Sequence, residues 1–143
     1  MIDPDAAAFL ARQRVGHLAT ASLDGRPHVV PVCFALIEAT IYIAIDEKPK
    51  TTAPSQLRRV RNIVVNPRVS FVADVYDDQD WSKLGFVLID GRARIVEPQD
   101  QAHAAAVHAL RGKYAQYAAM RLEDRPVIAI SIERLTTWGN TNA

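Results

Sequence analysis

The chain has 143 residues, 49% hydrophobic and 23% charged, the length and make-up of one globular domain over residues 1–143. Its 17 Lys and Arg against 16 Asp and Glu leave a formal charge of +1, so no overall field recruits nucleic acid or an anionic membrane. No apolar run reaches the roughly 20 residues of a membrane helix, and the lone Cys33 allows no disulfide within the chain. Two acids stand near the start, where a secretory signal carries bases, and the chain reads as cytoplasmic.

Residues 4–14 predict a helix: Pro4 suits its first turn, the alanines are strong helix formers, and Phe9 and Leu10 anchor it. A hairpin follows, residues 17–23 and 28–36 around Asp24-Gly25-Arg26-Pro27, with Asp-Gly supplying the positive-φ positions of a tight turn. Pro31 has no N–H to give a ladder, so its strand is expected at a sheet edge or bulged, with backbone free for another partner. Residues 40–45 form a third, β-branched strand. A polar loop over residues 46–54 leads to a helix capped by Ser55, which runs to about Val65 and stops at Asn66-Pro67. Residues 69–76 are a fourth strand. After the acidic loop 77–80 comes a hairpin of residues 86–89 and 92–96 turning across Asp90-Gly91. Residues 99–110 and 114–122 look helical, with Gly112 between them; residues 127–132 are the last strand, and residues 136–140 trail from it. Six antiparallel strands with inserted helices make an α+β fold built on a small barrel.

Charge is concentrated in one place. Residues 47–68 carry Lys48, Lys50, Arg58, Arg59, Arg61 and Arg68 against one acid. On a helical projection Leu57, Val60, Ile63 and Val64 share a stripe, with Arg58, Arg59, Arg61 and Asn62 opposite. With Lys48, Lys50, Thr51 and Thr52 upstream, this face is a candidate cradle for phosphate or carboxylate, the groups a guanidinium fork matches. A solvated helix face is the plain alternative.

Other chemistry is sparse. His103 and His108 are five apart and cannot hold one metal from a single helix face, and His17 and His28 do not face each other, so no metal site is expected. There is no G-x-S-x-G elbow, no G-x-G-x-x-G and no Walker loop, which leaves out the hydrolase elbow, the Rossmann site and the P-loop. Cys33, between Val32 and Phe34, reads as a small buried hydrophobe. Trp81, after the acidic loop, suits a contact with a partner chain or a planar ligand. No catalytic residue is assigned; solvent, Tyr76 and His28 are alternative proton sources.

Taken in order, Gly16-His17-Leu18-Ala19-Thr20, Asp24-Gly25-Arg26-Pro27-His28-Val29-Val30-Pro31-Val32, Leu57-Arg58-Arg59-Val60-Arg61-Asn62, Asn66-Pro67-Arg68-Val69-Ser70-Phe71, Asp80-Trp81-Ser82 and Asp90-Gly91-Arg92-Ala93 resemble the pyridoxamine-phosphate-oxidase-like family. The likeness is to its branch that uses the deazaflavin coenzyme F-420. It implies a six-stranded antiparallel split β-barrel of the FMN-binding type with flanking helices, assembled as a homodimer with coenzyme sites at the interface. It further implies that Lys50, Arg58, Arg59, Arg61 and Asn62 hold the coenzyme's anionic groups. Pro31, Val32 and Cys33 would meet its ring, and Trp81 would approach it. The implied activity is hydride transfer to a small electron-poor acceptor. The alternatives are an FMN oxidoreductase on the same barrel and a non-catalytic cofactor- or haem-binding protein.

Overall fold

The protein is described by a computed structural model covering residues 2–45 and 53–142; Lys48, Lys50, Thr51 and Thr52 of the expected cradle lie outside the described residues. Among the described residues one sheet has seven strands, not six: β1 (Gly16–Ala21), β2 (Pro27–Val32), β3 (Ala35–Ile37), β4 (Thr40–Ala44), β5 (Arg68–Val75), β6 (Gly85–Val96) and β7 (Val127–Gly139). They lie in the order β2-β1-β5-β6-β7-β4-β3, every neighbouring pair antiparallel. The extra strand arises because the second strand of the first hairpin breaks. Cys33 and Phe34 leave the ladder, and the chain passes from β2, at one edge of the sheet, to β3, at the other. Two residues cannot span an open sheet, so the sheet curls until its edges meet there. β3 pairs with Thr40, Ile41 and Tyr42, and β2 pairs with β1. Among the described residues the outer edge of β2, and Ile43 and Ala44 of β4, have a strand partner on one side alone, and Pro31 sits on the β2 edge, as expected.

Two further expectations give way to long-range pairing. Residues 86–96 are one strand rather than a hairpin, because β7 runs beside β6 from Gly85 to Val96 and absorbs Asp90-Gly91 as a bulge. A Cβ on Gly91 would lie 2.2 Å from the Ser131 carbonyl oxygen, so the bulge requires glycine. The C-terminal segment belongs to β7 through Gly139, with Thr136 opposite Leu88 and Trp138 opposite Phe86. The two rings stack at 5.6 Å and 20°.

Alternate residues of each strand fill the barrel, among them Leu18, Val32, Ile41, Ile43, Phe71, Val87, Ile89, Ile128 and Ile130. Helix α1 (Pro4–Arg12) starts at Asp3, whose carboxylate accepts from the Asp5 N–H, and buries Ala6, Phe9 and Leu10 in the same core. Helix α2 (Arg58–Val65) adds Val60 and Ile63. Helix α3 (Gln101–Lys113), capped by Asp100, packs Ala106, Val107 and Leu110 outside the barrel against Ala35, Ala44, Val127 and Ala129. A 3-10 turn, Ala115–Ala119, stands where a second helix was expected. Across β2 and β1 the outer face is bare: Val29 is 63% exposed, and His17 and Pro31 are exposed.

The crossing at Cys33-Phe34 is clamped on several sides. The Phe34 N–H donates to the Tyr114 hydroxyl at 3.0 Å, and that hydroxyl donates to the Arg14 carbonyl at 2.9 Å. The Phe34 ring meets Phe71 edge-on at 4.9 Å. Phe71 in turn lies over Gly16, where any Cβ would sit 2.1 Å from its ring. Replacing Tyr114 with Phe leaves the Phe34 N–H unpaired in the interior, a loss of about 1–3 kcal/mol. Urea denaturation should show that loss; an unchanged midpoint would mean the clamp does not hold the crossing.

Candidate functional site

The basic helix does not sit as its hydrophobic pattern predicts. It begins at Arg58, with Leu57 in place of Ser55 as its N-cap, after a 3-10 turn over Pro54–Gln56. It is rotated by roughly a quarter turn from the expected stripe. Val60, Asn62 and Ile63 are buried and Arg59 is half-buried, whereas Val64 is 71% and Val65 51% exposed. Side-chain hydrogen bonds set this rotation. Asn62 Nδ2 donates to Thr20 Oγ1 at 3.0 Å, both residues being buried, and Asn66 Nδ2 reaches the Ser22 carbonyl at 3.5 Å. With Asn62 turned to solvent the buried Thr20 hydroxyl would lose this partner; the observed rotation pairs the two and leaves Val64 outside. Arg59 turns in with Asn62, while Arg58 and Arg61 stay exposed.

Thr20 is paired across the ladder with His28, which therefore shares the inward-facing row of Val30 and Val32. Burial, and then the charges of Arg58 and Arg59, hold the His28 imidazole below its ordinary value of 6.5, so it is neutral at pH 7. Its Nδ1 atom is buried and has no hydrogen-bond partner. Beside the β2 edge the chain thus gathers Arg58, Arg59 and a neutral imidazole next to the Thr20–Asn62 pair. Such a set can hold an anionic group and one hydrogen-bonding polar edge beside it.

The remaining expected residues lie elsewhere. Pro31 is exposed opposite His17, Val32 is in the core, and Cys33 is half-buried at the crossing. Trp81 is 71% exposed on a 3-10 turn, Trp81–Lys83, that Asp80 caps by accepting from the Ser82 N–H and hydroxyl; those bonds hold the Asp80 carboxyl below its usual range. Because Gly16 pairs with Val32 and His17 with Val72, the loop after β5 leaves the sheet at the Val32 end. The Arg58–His28 group sits at the other end, roughly 14 Å away along β2 from Val32 to His28. Tyr76 is exposed and donates to Asp78 at 3.0 Å, apart from His28. His103 is buried, with its Nε2 2.6 Å from the Arg125 carbonyl, a packing role. Among the described residues no three of His, Cys, Asp and Glu group closely enough to hold a metal ion. From the sequence His28 is a candidate proton source and no more. Its inward phase with Val30 and Val32, beside a basic helix, was the signal for a binding role.

Because the folded imidazole takes up its proton only below the unfolded value of 6.5, the unfolded state binds more protons between the two values. The stability owed to neutral His28 is therefore complete above pH 6.5 and is lost as pH falls through the folded pKa. A proton NMR titration should place the His28 midpoint below 6.5, and H28Q should flatten the acid limb of the stability profile. A midpoint at or above 6.5 would put the imidazole outside the cationic site.

The sequence profile of the family described as pyridoxamine 5'-phosphate oxidase matches residues 2–139. Over 86 residues the chain is 35% identical to the 5a,11a-dehydrotetracycline/5a,11a-dehydrooxytetracycline reductase of Streptomyces rimosus subsp. rimosus; the match takes in 60% of this chain and 58% of that relative. The fold is shared with the conserved hypothetical protein Rv2991 from Mycobacterium tuberculosis (TM-score 0.76, 24% identity, 97% of this chain and 85% of that one). It is shared too with the haem storage protein HutZ from Vibrio cholerae (TM-score 0.70, 19% identity, 96% and 93%). A FAD-binding protein from Mesorhizobium loti aligns with TM-score 0.68 and 25% identity over 96% and 94% of the two chains. A curled antiparallel sheet of this order, matched by the profile over nearly its whole length, belongs to the pyridoxamine 5'-phosphate oxidase family.

Proposed function

We propose that the chain is an oxidoreductase that binds the deazaflavin coenzyme F-420 along the edge strand β2 and reduces a small electron-poor organic acceptor. The observation that carries this reading is the neutral His28, its Nδ1 unpartnered, next to Arg58 and Arg59 on a β2 strand whose outer edge has no strand partner among the described residues. The reductase activity named for the Streptomyces relative supports the reaction class. When bound, the coenzyme supplies the hydride chemistry, and the protein supplies position and electrostatics. Arg58 and Arg59 hold its anionic part by charge-assisted bonds, Arg61 adds a cation at the rim, and Asn62 fixes the helix that presents them. His28 bonds a polar edge of the ligand through Nδ1, and the β2 edge around Pro31 and Val32 offers backbone groups and apolar contact.

Trp81 and the basic group lie at opposite ends of β2, so we assign them to different subunits of one site. A second copy seated on the bare outer face, over Val29 and Pro31, brings the aromatic of one chain to the cradle of the other. FMN is the alternative ligand, since its phosphate suits the same guanidiniums, and the FAD-binding neighbour favours flavins in general. The haem storage neighbour gives the non-catalytic reading.

Adding F-420 to the protein should quench tryptophan fluorescence, because Trp81 and Trp138 are both exposed. R59A should weaken that binding by about 1–3 kcal/mol with the fold intact. Tight FMN binding without a deazaflavin response would replace the coenzyme assignment, and a Soret band on adding haem, with neither flavin bound, would replace the enzymatic one. V29D, which puts a charge on the outer face, should convert the dimer to a monomer in analytical ultracentrifugation and lose F-420 binding together. A variant that stays dimeric, or a monomer that binds normally, would sink the two-chain site.

A further inference from the structure

We propose that the groove between α1 and α3 is a second binding site, which takes a linear apolar molecule ending in a carboxylate. It is separate from the proposed coenzyme site on β2 and α2 and shares none of its residues. The groove holds about 1150 Å³, slightly above the roughly 300–1,000 Å³ of ordinary ligand pockets. Small side chains make the room: Ala7 and Ala11 on one face of α1, and Ala109 and Gly112 on the facing side of α3. A Cβ built on Gly112 meets nothing within 4 Å. With Ile2 and Leu36 the lining is apolar along most of its length.

Its polar part is cationic and uncompensated. Arg14 and Lys113 both line the groove, and among the described residues neither has a carboxylate within ion-pairing distance. Lys113 is half-buried; its ammonium lies 3.7 Å over the Phe34 ring and donates to the Leu10 carbonyl at 3.2 Å, which leaves a further N–H. Arg14 spends one nitrogen on the Lys113 carbonyl and stacks over Tyr114 at 4.8 Å, keeping the rest of its fork. Burial, and then the neighbouring Arg14 charge, push the Lys113 amine down to about 8, the sign of an ammonium held without a counter-charge. Glu38, the acid on the lining, pairs with neither cation. Two cations facing an apolar trough complement an anionic head on a hydrocarbon chain, and a carboxylate there supplies the missing charge.

Isothermal titration with decanoate and decan-1-ol at pH 7 tests this. Decanoate should bind saturably and at least tenfold tighter than the alcohol, and K113M should bring decanoate down towards the alcohol's affinity. G112L fills the trough from a helical position that meets open space, so it should fold normally and weaken decanoate at least tenfold while F-420 binding stays as it was. Equal binding of acid and alcohol, or a folded G112L that binds decanoate as the parent does, would overturn the proposal. Loss of F-420 binding in G112L would merge the two sites and overturn their independence.

Discussion

Everything in this molecule follows from a two-residue crossing. Cys33 and Phe34 join strands that stand at opposite edges of a seven-stranded sheet, so the sheet must close on itself at that point and nowhere else by covalent necessity. The crossing is held by a hydrogen bond to Tyr114, an edge-on contact with Phe71 and a lysine ammonium over the Phe34 ring. Phe71 reaches its place because Gly16 leaves the volume open. β3 stops short of the end of β4, so among the described residues Ile43, Ala44 and the outer edge of β2 have no second strand partner. The proline on β2 has no N–H to offer, which keeps that edge from recruiting another strand.

The β2 edge acquires its chemistry from a buried polar pair. One amide–hydroxyl bond between Asn62 and Thr20 contributes on the order of 1 kcal/mol, no more than the exposure of Val64 and Val65 gives back. Its larger effect is orientation. An eight-residue helix with two apolar anchors, Val60 and Ile63, can settle at several rotations, and the buried amide selects the one that turns Arg59 towards His28. The neutral imidazole then follows from burial and from the two arginines together.

Local chemistry made much of this legible. The Asp-Gly turn, the β-branched third strand, the first helix and the edge position of Pro31 all follow from residue types and their spacing, because each is decided within a few residues. What escaped was decided by distant partners. Nothing near Cys33 announces a break: Val32, Phe34 and Leu36 continue the alternation, and only the demand of β4 for a partner divides the strand. Asp90-Gly91 carries a turn signature that β7 overrides by pairing straight past it. The site was legible in its charges, Arg58 and Arg59, but Asn62 was placed on the solvent side. A projection cannot know that Thr20 waits, buried, forty-two positions earlier.

Register also separates residues that the resemblance treats as one site. The loop bearing Trp81 leaves the sheet where Val32 ends its strand, and Arg58, Arg59 and His28 gather where that strand begins. No rotamer change closes a gap of roughly 14 Å, because the intervening β2 is pinned residue by residue to β1. A single chain therefore presents either a cationic end or an aromatic end to one compact ligand, never both. The outer face between them carries Val29, Pro31 and the Phe86–Trp138 stack, and α3 covers the opposite half of the barrel instead. The two-fold pairing proposed through that face is the arrangement that would turn one copy's far end towards the other's near end and reunite the groups that the register of β2 keeps apart.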